Sequence, residues 1–300
     1  MSNSKATVLL GTHFSGKSTF FKHIKFLRLN QNIEDKESLS NLIKDNCKHK
    51  IEGFLLFIKE KGNELNLTTD IEDTINHIIE KQDYAQKLFE LINKSEFQKI
   101  YKQLPNYYLD NNKYFLDNAS RILDKSFIAE YSDFLGNNEM TSGVSELQIE
   151  DSGMNLTLFD VGGRRQYRRS WITCFMDLDC VLFFVNLTEY AQTLYEDNEV
   201  NRMRESLTLF ENVSSNNFLQ SATLILVLTH YDTFEELLSI YPLSKTFDDY
   251  IESNEKDCAL NFIQDKFKAT AKKDITIVTT NLLDRQGALK VFDLMKSKFN

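Results

Sequence analysis

The chain has 300 residues, 42% of them hydrophobic and 26% charged, with a formal net charge of −9. That is enough sequence for one large or two ordinary globular domains, and the acidic balance argues against nucleic-acid binding through a general basic surface. Four widely spaced cysteines, Cys47, Cys174, Cys180 and Cys258, form no CxxC pair, so neither a zinc site nor a disulfide framework is expected and the setting reads as reducing and cytoplasmic. No apolar run approaches the roughly 18 residues of a membrane span. Met1-Ser2-Asn3 begins no signal peptide and lacks the glycine at position 2 of a myristoylation signal, so membrane contact is expected only peripherally, through partners.

The first strong signal is the apolar run Ala6–Leu10 followed by Gly11-Thr12-His13-Phe14-Ser15-Gly16-Lys17-Ser18-Thr19. It reads G-x-x-x-x-G-K-S-T between a strand and the helix-compatible Phe20–Leu29. In that context it is a phosphate loop: backbone N–H groups and the helix N-terminus point at phosphate oxygens. Lys17 reaches the terminal phosphates and Ser18 holds magnesium.

From residue 31 to 135 helical spacing dominates. Leu39, Leu42, Ile43 and Cys47 fall on one stripe, continued by Ile51, Leu55 and Ile58, and further segments carry Ile71, Ile75, Ile78 and Ile79, then Leu88, Leu91 and Ile92, then Tyr114-Phe115-Leu116 with Ile122. His49 and His77 stand alone and read as solvated or core residues. Beyond residue 145 the period becomes two: Leu147, Ile149, the turn Asp151-Ser152-Gly153, Leu156 and Leu158 predict a β-hairpin, which ends in Asp160-Val161-Gly162-Gly163. Near-continuous apolar runs at 180–186, 222–229 and 274–280 predict buried parallel strands. Between them, Val200, Met203, Leu207 and Phe210 predict an apolar helix face within 197–213. Strands alternating with helices indicate a mostly parallel α/β sheet. Its ligands belong at the carboxyl ends of the strands, where the 11–18 loop, Asp160 and the segments after 229 and 280 converge.

With these residues in view, the chain resembles the α subunit of heterotrimeric G proteins over nearly its whole length. The resemblance rests on Gly16-Lys17-Ser18-Thr19, Tyr114-Phe115-Leu116-Asp117, Thr141-Ser142-Gly143, Asp160-Val161-Gly162-Gly163, Arg168-Arg169-Ser170-Trp171 with Cys174-Phe175, Glu196-Asp197-Asn198, Asn201-Arg202-Met203 and Glu205–Phe210. It implies a Ras-like P-loop GTPase domain of six mostly parallel strands (residues 1–30 and 136–300). Into this an all-helical domain (31–135) is inserted, covering the nucleotide. It implies GTP or GDP as ligand and magnesium on Ser18 and Thr141, with Asp160 acting through water. Gly163 closes the phosphate side, and the base loops are Thr229-His230-Tyr231-Asp232 and Thr280-Asn281-Leu282.

The resemblance also exposes departures. The family's water-orienting glutamine is Arg164 here, a fixed cation with donors and no acceptor. The built-in arginine finger is Asn138. Weak or absent hydrolysis is therefore expected, with nothing confidently catalytic. In the base loop Asp232 is kept for guanine, while Thr229 and His230 replace asparagine and lysine. An effector, or βγ weakly, is expected at 164–175. The short ends, with a first strand near residue 6 and eight residues after Phe292, argue against receptor coupling. The residues leave open a nucleotide-independent scaffold protein and, more remotely, an ATP-using P-loop enzyme.

Overall fold

The structure is a computed structural model that describes residues 4–29, 36–80, 84–108, 111–137, 141–194 and 197–299. Asn138 and Glu196, both singled out above, lie outside the described residues. The elements run β1 (Ser4–Gly11), α1 (Lys17–Leu29), α2 (Lys36–Glu60), α3 (Gly62–Leu65), α4 (Thr69–Glu80), α5 (Tyr84–Asn93), α6 (Ser95–Tyr101), α7 (Asn112–Ile122) and α8 (Tyr131–Gly136). They continue with β2 (Val144–Asp151), β3 (Met154–Val161), β4 (Cys180–Asn186), α9 (Arg202–Ser214), β5 (Thr223–Thr229), α10 (Tyr231–Ile240), α11 (Lys256–Thr270), β6 (Ile275–Thr279) and α12 (Arg285–Ser297). Packing divides the chain into two compact units, one of Met1–Asn32 with Asn138–Asn300 and one of Ile33–Asn137.

The first unit is built on a six-stranded sheet in the order β2-β3-β1-β4-β5-β6. Only β2 with β3 is antiparallel, the two joined through Ser152-Gly153; every other pair is parallel. All seven residues of β4 are buried, as a strand covered on both faces requires. Cys180, Leu182 and Phe184 pack on one face with Phe20, Ile24, Phe292 and Met295 of α1 and α12. Phe183 points the other way, edge-on to Phe210 of α9, which in turn meets Phe267 of α11. Helices thus cover both faces, and β1 pairs with β3 on one side and β4 on the other. The strand order reverses at the end of β1, where such sheets place their ligands.

The second unit is helical throughout its described residues. Its long helix α2 buries Ser40, Ile43, Cys47, Ile51, Phe54, Leu55 and Ile58. This corrects the expected stripe at its start: Leu42 is exposed and Leu39 only half-buried, while Ser40 is buried and its hydroxyl receives the Ala129 N–H at 2.8 Å. A second correction falls in the first unit. The helix near 200 begins only at Arg202 and buries Arg202, Met203, Ser206, Leu209, Phe210 and Val213 rather than Val200 and Leu207. No helix among the described residues is long and apolar enough to cross a membrane.

Candidate functional site

Gly11 ends β1, and the chain turns through the phosphate loop into α1. Phe14 takes a left-handed φ of 58°, and its ring lies 3.8 Å from that of His13. Residues 13–19 of the loop, with Thr141, Val161 and Gly163, line a cleft open to solvent. Lys17 is buried, its Nζ donating to Thr12 O at 2.6 Å, Gly11 O at 3.1 Å and Ser15 Oγ at 3.3 Å. Burial pushes this ammonium down to about 8, against the raising pull of Asp160 and Glu189.

Three segments meet at Ser18. Its hydroxyl donates to Asp160 Oδ2 at 2.7 Å and lies 2.8 Å from Thr141 Oγ1. Burial pushes the Asp160 carboxyl up, opposed first by Lys17. Its Oδ1 is buried with no hydrogen-bond partner. Two hydroxyls and one carboxylate with an unsatisfied oxygen form a hard-oxygen donor set, which suits magnesium. Among the described residues there is no cluster of three His, Cys, Asp or Glu that would offer a rival metal site.

Of the base-loop residues, Thr229 and Leu282 lie against the phosphate loop. Gly16 has φ 99°, and a Cβ there would stand 2.8 Å from Leu282 Cδ1 and 3.3 Å from Thr229 Cγ2, so this position needs glycine. Thr229 has one hydroxyl proton for Ser15 O (3.0 Å) and Val185 O (3.2 Å), and His230 Nδ1 lies 2.9 Å away. The arrangement is satisfied when His230 carries its proton on Nδ1 and donates to Thr229. Burial lowers the His230 imidazole to about 4, which keeps it neutral. Asp232 is exposed in the first turn of α10, and Asn281 Oδ1 accepts the Leu283 N–H at 2.9 Å.

The segment after Gly163 forms a 3-10 turn, Arg165–Cys174. Arg168 Nε donates to Gly163 O at 3.1 Å, and Trp171 Nε1 donates to Gly162 O at 2.9 Å. Arg164, half-buried, stands at the start of this turn.

Sequence reasoning missed a buried polar group behind the loop. Glu189 is fully buried; its Oε1 receives the Thr12 hydroxyl at 2.7 Å and Arg202 Nη2 at 3.1 Å, and its Oε2 receives the Ser206 hydroxyl at 2.8 Å. Arg202 Nη2 also donates to His13 O. Arg202 and Ser206 lay inside runs already quoted, but nothing in their spacing announces a buried role.

The family model described as "G-protein alpha subunit" matches residues 2–299. Similar proteins include the guanine nucleotide-binding protein alpha-1 subunit of Mycosarcoma maydis, 29% identical over 93% of this chain and 82% of that one. The G(o) subunit alpha of Locusta migratoria is 31% identical over 95% of this chain and 85% of its own. The alpha-7 subunit of Caenorhabditis briggsae is 32% identical over 87% and 77%. A Ras-like sheet with a helical insert, the phosphate loop and this match across the chain lead to one conclusion: the protein belongs to the G-protein alpha subunit family.

Proposed function

We propose that this chain is a signalling subunit that binds GTP or GDP with magnesium and hydrolyses GTP far more slowly than its family does. The observation that carries the reading is the meeting of Ser18, Thr141 and Asp160 within hydrogen-bond distance beside the buried Lys17. Ser18 and Thr141 are the hydroxyls that would hold the ion, with Asp160 acting through water. When bound, magnesium neutralises charge on the terminal phosphate oxygens. Lys17 supplies a second positive charge to the same phosphates, and the loop backbone orients them.

The grip is intact, but the parts that break the bond are altered. Arg164 cannot accept a proton from an attacking water, and Asn138 lacks the charge that an arginine finger contributes, about 10³–10⁵ in rate. Asp232 supports guanine, because a carboxylate accepts both adjacent N–H groups on that base and finds no such pair on adenine. Thr229 and His230 weaken the hold without abolishing it. The 164–175 segment is the surface we assign to an effector, or to βγ weakly.

Titration with a fluorescent GTP analogue in magnesium, competed with GTP and then ATP, tests this. Displacement by GTP at concentrations where ATP is inert is expected. Binding of neither nucleotide would favour a scaffold role, and equal displacement would favour an ATP-using enzyme.

A further inference from the structure

We infer that Glu189 and Thr12 form a positioning pair that sets the phosphate loop, a role resting on the nucleotide reading above. A carboxylate at zero exposure is costly unless every oxygen is paired, and at this place an apolar side chain would serve simple packing better. Here both oxygens are used, by Thr12, Arg202 and Ser206. The network ends on two consecutive loop residues: the Thr12 hydroxyl and, through Arg202, the His13 carbonyl. What it fixes is the Thr12 side chain and the carbonyl of the His13–Phe14 peptide, the groups on either side of the Thr12–His13 peptide.

That peptide is pinned from its other side as well. A Cβ on Gly163 would stand 2.6 Å from the Thr12 carbonyl and 2.7 Å from His13 N, so the Gly163 backbone lies directly against it. Thr12 O in turn receives the Lys17 ammonium and the Ser15 hydroxyl. Thr12 therefore joins Glu189 through its side chain and Lys17 through its carbonyl. The next residue, Phe14, sits at φ 58°, a conformation that costs energy for a bulky side chain and persists only when its surroundings hold it. Backbone N–H groups bind phosphate well only when they are aimed in advance. Glu189 does that aiming without touching the ligand.

The effect must fall on the phosphates and not on the base. The test is the dissociation rate of fluorescent GDP and GTP analogues, and of their hypoxanthine-base counterparts, from the full chain with magnesium. Thr12→Val keeps shape and removes only the hydroxyl, leaving Glu189 paired with Arg202 and Ser206. It is expected to raise the off-rate by about tenfold, in line with losing a hydrogen bond to a charged group, and by the same factor for both bases. Thr12→Ser should restore the wild-type rate. Glu189→Gln, which also takes the counter-charge from Arg202, should raise the off-rate at least as much as Thr12→Val, and the double variant should be no worse than Glu189→Gln alone. If Glu189→Gln does not fold, the Thr12→Val and Thr12→Ser pair decides alone. An off-rate for Thr12→Val within about twofold of wild type, less than the coupling such cycles resolve, overturns the inference. So does a Thr12→Ser variant as impaired as the valine, or a loss confined to guanine nucleotides. Failure of the wild-type chain to bind any guanine nucleotide overturns the nucleotide reading itself, and this inference with it.

Discussion

Arg168 donates from Nη1 to Glu205 Oε1 at 2.6 Å while its Nε holds the carbonyl of Gly163 at 3.1 Å. One guanidinium thus ties helix α9 to the glycine turn at the mouth of the phosphate cleft. Arg165 adds two bonds to the same carboxylate, at 2.7 and 3.1 Å. Glu205 is held below its ordinary value of 4.5, first by the Arg165 hydrogen bond and then, against burial, by Arg168. A carboxyl whose folded value is depressed contributes stability that is present above the unfolded value and lost as pH falls through the folded one. The latch should therefore open below pH 4.5. Trp171, the only tryptophan and bonded to Gly162 O, reports it: its emission should shift to the red in that window while the far-ultraviolet dichroism is still native. Glu205→Gln should show the shifted emission already at neutral pH. An emission unaffected by that substitution would remove the latch.

Much of this fold is legible without coordinates. β4 opens with six consecutive apolar residues, Cys180–Val185, and the phosphate loop is a complete motif, so both announce themselves by local pattern alone. What escaped is non-local pairing. Periodicity placed Val200 and Leu207 on the inner face of α9, because it treats arginine and serine as surface residues. The helix instead starts after Asn201, whose side chain accepts the N–H groups of Met203 and Arg204, and that start turns Arg202 and Ser206 inward. Arg202 is tolerated inside only because Glu189, thirteen residues earlier, meets it there. Ser40 on α2 escaped for the same reason: its bond to Ala129 spans 89 residues.

At the far end of α1 a single carboxylate joins three elements. Asp151, closing β2, meets Arg28 of α1 at 2.9 Å and Lys296 of α12, and both cations also lie over the Phe292 ring. Asp151→Asn removes the charge that keeps two cations together on one aromatic face. A loss of roughly 1.5–3 kcal/mol is expected, the range for a hydrogen bond to a charged group. Urea unfolding measures it, and the difference from wild type should shrink as salt rises. A loss independent of salt would show that packing, and not charge, is what Asp151 supplies.

We assign base selection to Asp232. A carboxylate offers two acceptors to the paired N–H groups of guanine; an amide offers one acceptor and one donor. Asp232→Asn should therefore exchange guanine preference for xanthine, which carries a carbonyl where guanine carries its amino group. Competition of GTP against xanthosine triphosphate for the same site checks this, with the order of the two affinities expected to invert. If the order is unchanged, Asp232 does not contact the base.

Hydrolysis separates holding from cutting. In a single turnover with magnesium, wild-type protein should convert bound GTP far more slowly than a family member that carries both the glutamine and the arginine. Arg164→Gln restores an acceptor for the attacking water at the residue after Gly163. Asn138→Arg restores a charge that resembles the family's finger. Each substitution alone should help little, because water positioning and charge stabilisation act on the same transition state and neither replaces the other. Together they should raise the rate by about 10³-fold or more, the lower end of what an arginine finger contributes, with nucleotide affinity largely unchanged because Lys17, Ser18, Thr141 and Asp160 are untouched. A wild-type chain that already turns over at the family's rate would refute the reading. A double variant that binds GTP and remains inert would place the defect elsewhere, and the Glu189–Thr12 setting of the loop would be the next feature to alter.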